Sequence, residues 1–240
     1  MLVSPTAVDA VLSAFTPAET DAIALSLRVA ALAVLVALPF AVAVAWVLAR
    51  ARFRGKILFE ALVYLPLVMP PVLTGYVLLV LLGRHGAIGH ALEQWFGITF
   101  AFRWTGAVIA AAVMGFPLFV RSIRLSIEAI PVEFDDTAAS LGASRWQRFR
   151  RVLLPLSVPG IAAGMTLAFA KALGEFGATI TFVSNIPGET QTIALAIQSL
   201  IQLPHGEPGI WRLAAVSVLL SLLALAASEW LVRRAVHRRD

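Results

Sequence analysis

Few side chains in this sequence could do chemistry, and none forms a catalytic constellation. Cysteine is absent, which excludes thiolate nucleophiles and disulfides. His85, His90, His205 and His237 sit at spacings that match no metal-ligand pattern, so no metal site is expected and they read as solvated loop histidines. The Gly55-Lys56 pair lacks both the earlier glycine and the following hydroxyl of a phosphate loop. The remaining polar groups gather late in the chain. Lys171 and Glu175 lie four apart on one helical face, where they either pair with each other or line a path or gate. Thr179, Thr181, Ser184 and Asn185 follow closely as neutral donors. They either meet an oxyanion or hydrogen-bond within their own loop. A further group, Pro66, Pro70, Pro71 and Gly75, removes backbone hydrogen bonds from an apolar run and marks it as a moving or pore-lining segment.

The elements that must position these groups are set by composition. Of 240 residues 60% are hydrophobic and 14% charged, against about 25% charged in a soluble domain. Such a chain belongs in a lipid bilayer. A helix needs about 20 mostly apolar residues to cross the hydrocarbon core. Five runs qualify, at 22–49, 57–82, 105–120, 155–172 and 213–232, giving an all-α integral membrane protein with 1–240 as a single transmembrane domain.

Basic residues orient the spans. Arg50, Arg52, Arg54 and Lys56 follow the first span, Arg121 through Arg151 follow the third, and Arg233, Arg234, Arg238 and Arg239 follow the fifth. All belong on the cytoplasmic side, which puts the N-terminus outside and the C-terminus inside. The interval 176–203, broken by Asn185, Pro187 and Gly188, is expected outside and partly re-entrant. The net charge of +5 reflects this bias and not nucleic-acid binding, since no basic stripe is interleaved with aromatics. Arg28, just inside the first span, is expected to snorkel outward, and Glu60 to pair with Lys56. Trp46, Trp95, Trp104, Trp211 and Trp230 read as interfacial anchors. Val8, Val11, Leu12 and Phe15 fall at helical spacing and suggest a short surface helix.

The loop 128–151 is longer than a plain connector needs. Phe134, Ala138 and Leu141 share a helical face, Gly142 interrupts, and Trp146, Phe149 and Val152 begin a second short helix. An amphipathic pair with exposed aromatics suits either a partner's groove or the lipid headgroups.

The residues Asp136-Thr137-Ala138, three residues, Gly142, nine residues, then Val152-Leu153-Leu154-Pro155 resemble the Glu-Ala-Ala loop of ABC importer permeases. The spacing is kept, with Asp136 for Glu, Thr137 for Ala and Val152 for Ile. The resemblance implies a type I importer permease fold whose cytoplasmic coupling helix docks on a separate ATPase. It also implies that Phe134, Asp136, Thr137, Ala138, Leu141, Gly142, Trp146, Phe149, Leu154 and Pro155 form the coupling surface. ATP and Mg would then be handled by that partner, with no cofactor in this chain.

The runs 170–179, 185–190, 65–72, 95–102 and 228–231 are similar to the molybdate branch of these permeases. This implies a homodimer in the inner membrane that receives molybdate from an extracytoplasmic binding protein and works by alternating access. Sulfate and thiosulfate permeases share Gly174-Glu175-Phe176-Gly177 and Pro187-Gly188 more loosely. A secondary anion transporter, with Lys171 and Glu175 as its coupling pair, is the reading that needs no ATPase.

Overall fold

The computed structural model describes residues 15–237, and the surface helix expected around Val8, Val11 and Leu12 lies outside them. Every regular element among the described residues is helical. In chain order these are α1 (Pro17–Arg50), α2 (Lys56–Val68), α3 (Pro71–Leu82), α4 (Ala87–Phe96), α5 (Trp104–Glu128), α6 (Val132–Ser140) and α7 (Arg145–Arg148). A π-turn (Phe149–Leu153) leads into α8 (Leu154–Leu156), followed by α9 (Val158–Leu173), α10 (Gly177–Val183), α11 (Ile193–Ile201) and α12 (Glu207–His237).

Three helices, α1, α5 and α12, are long and apolar enough to cross a membrane unaided, and the number rises to five when two broken pairs each count as one span. Proline chemistry explains the first break, between α2 and α3. Met69 is extended, with ψ 145°, as a residue before proline prefers, and Pro71 begins α3, where its missing N–H has no role. The second break falls at Ser157, where the run Arg145–Leu156 meets α9 at 67°. Pro155 has no N–H for the carbonyl of Arg151 and crowds it, so the π-turn and the bend cluster around this residue.

The chain divides into two compact units. One comprises 15–31, 71–111 and 173–221, and the other 32–70, 112–172 and 222–237. In the second, Ala37, Ala41, Ala45 and Leu48 line one stripe of α1 and bury against Phe119, Val120, Ile123 and Ile127 of α5 and Ala168 of α9. The stripe is built of small residues because helices in lipid gain association energy from close backbone approach, not from expelling water. The α5–α9 crossing shows how tight this becomes: a Cβ on Gly160 would lie 2.2 Å from that of Ser126, and the Ser122 hydroxyl donates to the Gly160 carbonyl at 3.0 Å.

In the first unit Ala22 of α1, Ile193 and Ala196 of α11 and Leu213 of α12 form a separate core. Leu35, Val36 and Phe40 on α1 and Val218, Leu219, Leu222, Leu223 and Leu225 on α12 are exposed, as lipid-facing residues must be.

Candidate functional site

The segment from α6 to α8 is a chain of well-formed local signals. Helix α6 ends at Leu141 in a Schellman motif, with Ala143 N–H donating to Ala138 O (3.0 Å) and Gly142 N–H to Ala139 O (2.9 Å). That motif requires a left-handed residue, and Gly142 supplies it with φ +79°. Helix α7 opens with a capping box. The Gln147 N–H donates to the Ser144 hydroxyl at 3.3 Å, and the Ser144 N–H donates to the Gln147 side chain at 2.8 Å.

Contacts within this segment and to the ends of α1 and α5 fix it in place. The Phe149 ring packs on Trp46 of α1 (4.9 Å between centroids) and on Trp146 (5.4 Å). Arg148 donates to Asp135 at 2.9 Å, which joins α7 to α6. Arg50, the last residue of α1, donates to the carbonyls of Ile127 (3.1 Å) and Ile130 (2.8 Å) at the end of α5.

The expected coupling residues divide into two sets. Phe134, Leu141 (83% exposed) and Trp146 (62%) present apolar surface, and Asp136, Thr137, Gly142 and Pro155 are exposed beside them. Ala138 and Leu154 are half-buried. Phe149, expected on the exposed apolar face, is instead buried at 7%, with its ring packed on Trp46. Asp135 was missed from sequence: of the two adjacent carboxylates it is Asp135 that meets Arg148, while Asp136 stays exposed.

On the same unit Arg124 of α5 bonds Glu60 of α2 and, at 2.7 Å, Glu128 of its own helix. The expected Glu60–Lys56 pair does not form, and Lys56 donates instead to the Ala51 carbonyl at 3.2 Å. A Lys preceding its Glu is the weaker order along a helix, and a forked guanidinium holds two carboxylates better than an ammonium does.

The other candidate residues lie in the first unit, apart from Pro66, Pro70 and Lys171. Pro66 sits within α2, Pro70 is exposed at the break, and Lys171 is half-buried near the end of α9. Helix α3 packs on α10 at very short range. A Cβ on Gly75 would stand 2.5 Å from the Ala178 carbonyl oxygen, and one on Gly177 would stand 2.7 Å from Pro71. Pro71 and Gly75 therefore belong to a helix–helix contact. Glu175 is 2% exposed and accepts from the Ala178 N–H at 2.9 Å, capping α10.

The oxyanion candidates turn out to be engaged locally. Thr179 is buried in α10, and the Thr181 hydroxyl donates to the Gly177 carbonyl at 2.8 Å. Ser184 ends α10 with φ 63°, and its carbonyl accepts from the Thr190 hydroxyl at 3.2 Å. The Asn185 amide donates to Ser199 Oγ (2.7 Å) and Leu195 O (3.2 Å), and accepts from Gln191 (3.0 Å). This network pins the loop 184–192 onto α11, and Ser199, Gln191 and Thr190 are the partners that spacing alone did not reveal.

Arg28 is exposed, and it also meets an aromatic ring. Its guanidinium lies 3.9 Å from the Trp104 ring centroid, so that tryptophan is a cation–π platform. Arg212 pairs with Glu19 at 2.7 Å. Among the described residues no three His, Asp or Glu side chains gather as a metal would require.

Comparison with known proteins extends these observations. Residues 23–237 match the model of the family "Binding-protein-dependent transport system inner membrane component". The molybdenum transport system permease protein ModB of Escherichia coli K12 is 56% identical over 218 residues, covering 91% of this chain and 95% of that protein. The sulfate transport system permease protein CysT of the same organism is 35% identical over 195 residues, covering 81% of this chain and 70% of that one. In fold, the chain resembles a membrane chain from the crystal structure of a bacterial alginate ABC transporter, with a TM-score of 0.70 at 20% identity over 91% of this chain and 80% of that one. An all-helical chain with broken membrane spans, matched nearly end to end by such permeases, belongs to the family of binding-protein-dependent transport system inner membrane components.

Proposed function

We propose that this chain is the membrane-spanning permease subunit of an ATP-driven molybdate importer. The observation that carries this is the 56% identity to a molybdenum permease across nearly the whole of both chains, against 35% to a sulfate permease over a shorter overlap. The chain itself is a transport subunit and not an enzyme. A separate ATPase supplies the driving force, and an extracytoplasmic binding protein delivers the anion. Two copies pair around the translocation path, which gives each ATPase of a dimer one coupling segment. The cluster Arg50, Arg52, Arg54 and Lys56, with Arg121 through Arg151, supports a cytoplasmic α6–α8 segment and an N-terminus outside.

In this mechanism Phe134, Leu141 and Trp146 enter a groove of the ATPase. Closure of the ATPase dimer pushes the segment, and the path opens outward to receive the anion. The permease needs only a shallow path for the anion, consistent with donors such as Asn185 and Thr181 being engaged in their own loop.

Proteoliposomes containing this chain, its ATPase and the binding protein test the reading. Labelled molybdate uptake should require ATP and survive excess sulfate. The sulfate reading, favoured by the CysT likeness, predicts strong competition instead. Uptake without ATP would overturn the coupling mechanism.

A further inference from the structure

Beside the coupling segment lies a cavity of about 490 Å³ whose charged lining is one-sided: the guanidinium groups of Arg50, Arg52, Arg145 and Arg148 face a single carboxylate, Asp135. Asp135 is already engaged by Arg148 at 2.9 Å. Arg50 holds the carbonyls of Ile127 and Ile130 through Nη2, which fixes its position without neutralising it. Among the described residues Arg52 and Arg145 form no ion pair, and the buried Nε atoms of Arg50 and Arg148 have no hydrogen-bond partner. Buried donors without acceptors are costly, and several converging guanidiniums leave the cavity in want of an anion with multiple acceptor oxygens.

The position of the cavity identifies that anion. Arg50 ends α1 where its apolar run stops and the basic run Arg50, Arg52, Arg54 and Lys56 begins, the change of polarity expected where hydrocarbon gives way to headgroups. Trp46, one turn earlier, supplies an apolar wall and is of the residue type that settles at the headgroup boundary. Basic pockets at the cytoplasmic ends of membrane helices take anionic headgroups. We propose that this cavity is a phosphate site occupied by the headgroup of an anionic phospholipid, held against the coupling segment by Arg52 and Arg145 on a scaffold of Arg50 and Arg148. Arg148 belongs to the segment that docks the ATPase and Arg50 to a membrane span, so an occupied site clamps the two together. The proposal rests on membrane placement and not on which anion is carried.

The test is native mass spectrometry of the full chain in detergent, titrated with short-chain phosphatidylglycerol and, in parallel, phosphatidylcholine. The wild type should retain phosphatidylglycerol selectively. Arg52 and Arg145 are exposed, so R52Q and R145Q should unfold at the wild-type temperature without lipid. Each should weaken phosphatidylglycerol binding about fivefold and the pair about thirtyfold, the worth of one and two basic residues facing anionic lipid. R54Q, exposed in the same basic run but outside the cavity, should change it less than twofold, by about the scatter of a neutral surface change.

Equal weakening by R54Q would reduce the effect to general surface charge and overturn the site, as would retention of phosphatidylcholine equal to that of phosphatidylglycerol. Displacement of the lipid by inorganic phosphate alone would overturn the lipid as occupant in favour of a free oxyanion.

Discussion

Leu141 and Phe149 lie eight residues apart in one segment that sequence reads as a single apolar face, yet the structure assigns them opposite consequences when truncated. Phe149 is 7% exposed between two indole rings, and Phe149→Ala removes a buried aromatic from the Ile130–Leu153 core. Such truncations cost about 3–5 kcal/mol, which at 2–4 °C per kcal/mol for a chain of this size lowers the unfolding midpoint by roughly 6–20 °C. Leu141 is 83% exposed, so Leu141→Ala should change the midpoint by no more than about 2 °C, as surface changes within about 0.5 kcal/mol do. Leu141 should instead matter to assembly. A leucine fully buried in a partner's groove contributes about 1.5–3 kcal/mol, so the variant should bind the ATPase roughly 10- to 150-fold more weakly. Tryptophan-fluorescence melting of the purified chain gives the first quantity, and titration with the ATPase gives the second. If Leu141→Ala melts as early as Phe149→Ala, or binds the ATPase as tightly as the wild type, the division of the segment into an inner tie and an outer docking face is wrong.

Three further perturbations follow from other contacts. Gly75→Ala places a Cβ 2.5 Å from the Ala178 carbonyl, so α3 and α10 must separate; about 1–3 kcal/mol of stability and most transport should be lost, and an unchanged melting curve would refute the close contact. Arg124→Ala leaves Glu60 and Glu128 without their shared cation, and should destabilise the chain by about 1–3 kcal/mol, with Glu60→Gln partly rescuing it in the double variant; additive losses would show that the three groups do not act together. Trp104→Leu should lose about 0.5–2 kcal/mol relative to Trp104→Phe, because only the aromatic ring holds Arg28; equal melting of the two would remove the cation–π contact from the account.

The long helices were legible because lipid demands long uninterrupted runs, and the predicted interval 22–49 lies within the observed α1. The break in the second run was legible as chemistry: Pro70-Pro71 forbids a continuous helix wherever it falls. Side-chain partners were not legible, since a pair at sequence separation 64, such as Glu60 with Arg124, leaves no trace in local spacing, whereas Lys56 at four residues suggests itself and is not used. Asp135 and Asp136 show the same limit at finer grain. Adjacent residues on a helix point about 100° apart, and only the crossing of α6 and α7 decides which of them faces Arg148. Phe149 escaped because its burial comes from Trp46, a partner far away in sequence that local periodicity does not register.

The burial of Phe149 also bears on how a push could be transmitted. An exposed helix joined to a membrane span by a flexible loop would absorb displacement in backbone torsions. Here the route from the exposed Leu141 and Trp146 to α1 runs through packed rings and fixed hydrogen bonds: Trp146 on Phe149, Phe149 on Trp46, and Arg148 on Asp135. Close-packed contacts are nearly incompressible, so displacement at the outer face is delivered to Trp46 instead of being dissipated. The fixation of Arg50 by two carbonyls then makes the ends of α1 and α5 respond as one body. Under the proposed coupling, the exposed Leu141 would receive the push and the buried Phe149 would hold the segment to α1.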